Sequence, residues 1–133
     1  MKNSERADVT LIRIPYRDID MHGYLHSAAY LVHAEDALAQ FWQRRPASDD
    51  EPLFLVKKTE CRCHRGLRLH EQARFTVSIN KIGGKSIGFD VLVEVDEVLA
   101  AEIEITWIAA DRESREPVAL PEDIRDWLYQ FLG

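Results

Sequence analysis

The stretch SAAYLVHAEDALAQFWQRR, residues 27–45, decides the fold. In it Tyr30, Ala34, Leu38 and Phe41, with Ala37 and Trp42 beside them, recur at helical spacing. His33, Asp36, Gln40, Gln43 and Arg44 fall mostly on the opposite side. Ser27 is placed to cap the start, Glu35 and Asp36 sit nearer that end, and Arg44 and Arg45 close the other end before Pro46. No other segment is both long enough and apolar enough at this period to cover a sheet.

On either side of this helix the periodicity is that of strands. Before it, Val9 to Tyr16 carries Thr10, Ile12, Ile14 and Tyr16 on one alternating face, which predicts a strand. Residues 1–8 are polar and are expected to fray, and Arg17 to His26, rich in Asp, His and Gly, must turn. After it, PASDDEP at 46–52 reads as a loop. Four strand segments follow: Leu53 to His64, Gln72 to Ile82, Ser86 to Val95 and Leu99 to Ala110. Gly83-Gly84 and Asp96-Glu97 separate strands at hairpin spacing, the Gly pair being the stronger turn signal. A short helix from about Pro121 places Ile124, Trp127, Leu128 and Phe131 together. Short hairpins favour an antiparallel meander over parallel crossovers. The expectation is an α+β fold in which a five-stranded antiparallel sheet wraps one long central helix, as a single domain over residues 1–133.

Composition narrows the function. The chain has 133 residues, 46% hydrophobic and 30% charged, with a net charge of −6. Such a balance argues against nucleic acid as the main partner, since phosphate binding wants a basic face. No apolar run is long enough to span a bilayer and no secretion signal is visible. The two cysteines, Cys61 and Cys63, are too few for a disulfide framework and point to a reducing compartment. A cytoplasmic location is expected.

Reactive side chains concentrate between the first strand and the helix, in YRDIDMHGYLHSAAY at 16–30. A carboxylate there lies near the helix N-terminus, whose free N–H groups stabilise an oxyanion. Asp18 and Asp20 also suit a purely structural role, accepting backbone N–H bonds in an Asx turn with Gly23 at a difficult dihedral. Asp20, His26 and Ser27 contain the residue types of a hydrolase triad without a nucleophile-elbow pattern. Two metal sets are conceivable: His22 and His26 with Asp20, and Cys61 and Cys63 with His64 and His70. Cys-x-Cys fits one strand face better than a zinc knuckle.

The Asp-rich segment resembles the signature of hotdog-fold acyl-CoA thioesterases of the 4-hydroxybenzoyl-CoA thioesterase type. Asp18-x-Asp20, Gly23, His26 and Tyr30 fall in step with that pattern. Weaker likeness runs through Arg65 to Phe75, Gly84-Lys85-Ser86 and Asp111 to Pro121. The chain departs from the pattern at Ala29, where Asn is usual, at Gly66, where Pro is usual, and at His70-Glu71, where Gly-Asp is usual. The resemblance implies hydrolysis of an acyl-CoA thioester to free acid and CoA. It makes Asp20 the catalytic carboxylate, as nucleophile or general base. It places the thioester oxygen at the helix start, with the Ser27 backbone N–H as donor, and makes Gly23, His26 and Tyr30 positioning residues. Asp18 would position the loop, because two ionised carboxylates in one small site repel. Arg74, Lys81 and Lys85 become candidates for the CoA phosphates. Neither a metal nor a cofactor is implied beyond the CoA of the substrate. A homodimer or homotetramer is expected, since a lone subunit leaves an edge strand open. The rival reading is an acyl-CoA binding or sensing module that does not hydrolyse its ligand. A hotdog dehydratase is disfavoured, because no Asp/His pair of that kind is found elsewhere in the sequence.

Overall fold

The segment with the cleanest alternation, Ile87, Phe89, Val91, Val93 and Val95, becomes the middle of the sheet. The computed structural model describes residues 8–46 and 51–132. Its strands are β1 (Asp8–Arg13), β2 (Leu53–Cys63), β3 (Gln72–Ile82), β4 (Ser86–Val95) and β5 (Val98–Ala110), and its helices are α1 (Ser27–Trp42) and α2 (Glu122–Tyr129). They form one five-stranded sheet in the order β1-β3-β4-β5-β2, with every pairing antiparallel. Residues 1–7 of the expected frayed terminus and 47–50 of the expected loop lie outside the described residues, while Asp8, expected to fray, is the first residue of β1 and pairs with Val77.

The buried face of the sheet is apolar because its register stacks like with like. Phe75 sits opposite Val93, Val77 opposite Val91, and Ile79 opposite Phe89, while Ile103 and Ile105 of β5 continue the rows. All are buried. Onto this face α1 sets Ala29, Tyr30, Ala34, Ala37, Leu38 and Phe41. Each large side chain so buried contributes about 1.5–3 kcal/mol. Small Ala residues let the helix axis approach the sheet closely. At the far end of α1 an aromatic cluster closes the core: Phe41 stacks on Trp127 of α2, with ring centroids 5.1 Å apart, and Trp42 meets Phe54 and Trp107 edge-on at 5.0 Å. That cluster anchors the C-terminal half of α1 and leaves its N-terminus to face the 14–26 loop.

Four expectations are corrected. β1 stops at Arg13, and Pro15 leads into a 3₁₀ turn at Tyr16–Asp18; proline has no N–H for the ladder and ends the strand. Ile14 is fully buried, but Tyr16 is 81% exposed and shares no strand face with it. The N-cap of α1 is His26 and not Ser27, which is the first helical residue. His33, assigned to the outer side of the helix, is buried. Hairpin chemistry also reverses in emphasis. The two-residue turn is Asp96-Glu97, both at positive φ (52° and 65°), whereas Gly83 and Gly84 belong to a longer connection and need no positive φ.

Candidate active site

The loop between β1 and α1 folds into a small hairpin of its own. At its base the His26 N–H donates to the Asp18 carbonyl at 2.9 Å, and Ile19 bridges Leu25. Nearer the tip the Asp20 N–H donates to the Tyr24 carbonyl at 2.7 Å, and the Gly23 N–H donates to the Asp20 carbonyl at 3.1 Å. Gly23 has φ +87°, a conformation that side chains with a Cβ rarely adopt. This turn aims backbone donors at one carboxylate oxygen. Asp20 Oδ1 accepts from the N–H groups of His22 (2.9 Å) and Tyr24 (3.1 Å). Chiefly through the Tyr24 N–H, the carboxyl is held below its ordinary 3.8, against a smaller opposing effect of desolvation. Asp20 is therefore an anion at neutral pH. Among the described residues nothing hydrogen-bonds Oδ2, so one oxygen shapes the turn and the other is free to react.

The start of α1 supplies the complementary charge. No side chain caps it, and the Ala29 N–H is already taken by the His26 carbonyl at 3.0 Å. The N–H groups of Ser27 and Ala28 have no acceptor among the described residues. A helix of 16 residues adds its dipole at that end.

Asp20, Ser27 and Tyr30 open on one cleft of about 600 Å³. Its second wall is the end of β2, with Cys63, and the connection from β2 to β3, which supplies Arg65, Gly66, Arg68 and Glu71. This wall is pinned to the loop. The Leu25 N–H donates to the Leu67 carbonyl at 2.7 Å, and Tyr24 bridges Arg68. The Tyr30 hydroxyl points at the Arg65 carbonyl at 3.4 Å, and burial pushes its ionisation up, so it is a neutral phenol. Glu71 accepts from the Arg65 guanidinium at 2.7 Å and from the Arg68 N–H at 2.7 Å. The pairing raises Arg65 and lowers Glu71, so both stay charged. Arg68 lies over the Tyr24 ring, 5.5 Å from its centroid. Gly66 has a local reason of its own: a Cβ there would sit 2.6 Å from a Tyr24 ring carbon. Cys61, two residues before Cys63 on β2, has its sulfur 3.8 Å from that of Cys63, and desolvation first, then Cys63, pushes the Cys61 thiol up to about 11. A thiol with that value is protonated at neutral pH.

The structure thus brings Asp20, Ser27 and Tyr30 together and uses Gly23 to form the turn. His26 is the helix cap, and its side chain does not line the cleft. Among the described residues no hydrogen bond joins the side chains of Asp20, His26 and Ser27, as a triad would require. Nor do any three His, Cys, Asp or Glu side chains converge in a way that could hold a metal ion among these residues. Arg74 is exposed near the start of β3, while Lys81 and Lys85 lie at the opposite end of that strand from the cleft. Arg65, Arg68, Glu71 and Tyr24 were not singled out as site residues. Tyr24 lies within the Asp-rich segment itself, while the only sequence signal of the other three is the weak family likeness of Arg65 to Phe75, since nothing periodic shows that this connection folds under the Asp20 loop.

The family model described as the thioesterase-like superfamily matches residues 14–128, and the chain belongs to that superfamily. Hydrolysis of thioesters is accordingly its class of chemistry, as the resemblance implied, and the hotdog architecture is the one observed. Among curated proteins no sequence matches. Among solved structures, the chain is similar to a predicted thioesterase from Bacillus stearothermophilus, with a TM-score of 0.87, 16% identity, and 96% and 97% of the two chains covered. It is similar to a 1,4-dihydroxy-2-naphthoyl-CoA thioesterase from Synechocystis, with TM-score 0.83, 11% identity and coverage of 92% and 96%. A hypothetical protein from Staphylococcus aureus, solved in complex with CoA, gives TM-score 0.85, 16% identity and coverage of 96% and 86%. At these identities the likeness is one of fold. Among the described residues no helix is long and apolar enough to cross a membrane.

Proposed function

We propose that this protein hydrolyses an acyl-CoA thioester to the free acid and CoA, with Asp20 as the essential carboxylate. The observation that carries the reading is the juxtaposition, in one cleft, of an ionised Asp20 with a free Oδ2 and an uncapped helix start at Ser27. The thioester oxygen points at the Ser27 and Ala28 N–H groups, which stabilise the charge that develops as the carbonyl becomes tetrahedral. Asp20 either attacks the carbonyl carbon and is released by water, or takes a proton from the attacking water. In both routes the C–S bond breaks and CoA leaves as the thiol. Support for CoA as the carrier comes from the like-folded Staphylococcus protein, which is solved with CoA. The binding-module alternative rests on one observation: Asp20 Oδ1 is already occupied by the turn, as in a purely structural Asx motif. Thiol release from a panel of acyl-CoA esters separates the two.

The working unit we infer is a homodimer. β2 is an edge strand of 11 residues, free of proline, and Val56 to Cys63 are exposed in the single chain. Cys63 at the end of this edge also lines the cleft, so a second copy paired there would complete the cleft wall. Light scattering should report at least twice the monomer mass of 15.4 kDa. A concentration-independent monomer defeats this expectation.

CoA alone should raise the thermal midpoint, because a ligand that binds only the folded state stabilises it. Lys81 and Lys85 lie at the far end of β3 from the cleft of their own chain, so in this reading they meet the phosphates from a partner subunit. Reversing both charges should shrink the CoA-induced shift. An unchanged shift makes them ordinary solvated residues.

A further inference from the structure

His33 is the one buried polar side chain among the described residues, at 8% exposure on an otherwise apolar helix face. Burying an imidazole there is costly unless it is bonded. Its partner lies fifteen residues back in the active-site loop: His33 Nε2 and Asp18 Oδ2 are 2.8 Å apart. An ionised carboxylate only accepts, so the ring nitrogen carries the proton. The side chains are 10% and 16% exposed, so the contact is shielded from water. The edge of Phe75 flanks the imidazole at 6.1 Å between centroids, and the exposed Arg17 guanidinium stands 3.6 Å from the other Asp18 oxygen.

Asp18 is also the base of the Asp20 hairpin, with its carbonyl accepting from His26 and its N–H donating to Pro15. The bond to His33 therefore ties the loop to the same helix whose first N–H groups face the cleft. We propose that His33 is a positioning residue, which acts through Asp18 to hold the Asp20 carboxylate at a fixed offset from the start of α1. The inference rests on Asp20 being the essential carboxylate. Placement of this kind matters, because a misplacement of about 1 Å can cost a hundredfold in rate.

Three variants test it in the full-length protein: His33→Leu, His33→Gln and Asp18→Ala. His33→Leu should lower kcat about tenfold to a hundredfold with little change in KM. It should also speed amide hydrogen exchange at Asp20 and His26, whose N–H groups bond across the loop. His33→Gln keeps a donor of similar reach and should recover most of kcat and of the protection. Adding Asp18→Ala to His33→Leu should cost little more, since the two residues act as one unit. Asp18→Ala removes the acceptor of the His33 bond from the loop side and supplies the test should His33→Leu fold poorly. The inference is overturned if His33→Leu and Asp18→Ala, as folded proteins, keep wild-type kcat and wild-type exchange while Asp20→Asn is inactive. It is equally overturned if His33→Gln is no better than His33→Leu. If exchange rises in His33→Leu while turnover holds and Asp20→Asn stays active, it is the Asp20 reading that fails.

Discussion

Asp20→Asn should lower turnover by about two to four orders of magnitude, the span that a positioned base or nucleophile supplies. The substitution is nearly silent for the fold. An Asn oxygen accepts from the His22 and Tyr24 N–H groups as Oδ1 does now, so the turn persists. What is lost is the charge and the reactive lone pair on the free oxygen. Thermal melting should therefore shift little while kcat collapses. The same N–H groups that shape the turn depress the Asp20 ionisation below 3.8, so the carboxylate stays charged as pH falls through the mildly acidic range. An acid limb of kcat/KM due to Asp20 should accordingly appear below that value. A limb above pH 5 that vanishes in Asp20→Asn would contradict the assignment of the shift to those donors.

Ser27→Pro is the second substitution expected to have a large effect. As the first residue of α1, Ser27 has an N–H with no acceptor among the described residues, so proline removes a hydrogen atom and no internal bond. Proline is well tolerated at this helical position. The preceding residue, His26, is already extended at φ −71° and ψ 154°, as a residue before proline must be. The helix should survive, and one oxyanion donor should disappear, at a cost of about a hundredfold to a thousandfold in kcat. Ser27→Ala keeps the N–H and should cost far less. If the proline and alanine variants turn over equally, the helix start is not the oxyanion site. If Ser27→Ala alone abolishes thiol release, the hydroxyl is a nucleophile and the mechanism is that of a serine hydrolase.

The parts of the fold that were readable in the sequence are those governed by periodicity. The helix at Tyr30 to Trp42 and the strand at Ile87 to Val95 bury one face each, and burial writes a regular pattern. His33 escaped because a polar residue on an apolar face is invisible to that pattern; its partner, Asp18, is set by tertiary contact. Tyr16 escaped because alternation continued past Pro15 although the ladder could not. Ser27 reads as the N-cap because serine is a common cap, whereas it is the first residue of α1 and the cap position, His26, makes no side-chain cap bond. In the site, Asp20 was legible through the family likeness, and chemistry alone left it balanced between turn and catalyst. The structure explains that balance, since one oxygen serves the turn and the other is open. Arg65, Arg68 and Glu71 were not legible as site residues. Their approach to the Asp20 loop depends on the close contact at Gly66 and on the Leu25–Leu67 hydrogen bond, neither of which leaves a periodic trace.

The most direct measurement is CoA thiol released by the wild-type protein from a panel of short, long and aromatic acyl-CoA esters, with Asp20→Asn run alongside. We expect at least one ester to be hydrolysed, with release of free thiol that depends on Asp20. A wild-type protein that binds CoA, yet releases no more thiol than Asp20→Asn from any ester, would contradict the account and leave an acyl-CoA binding module in its place.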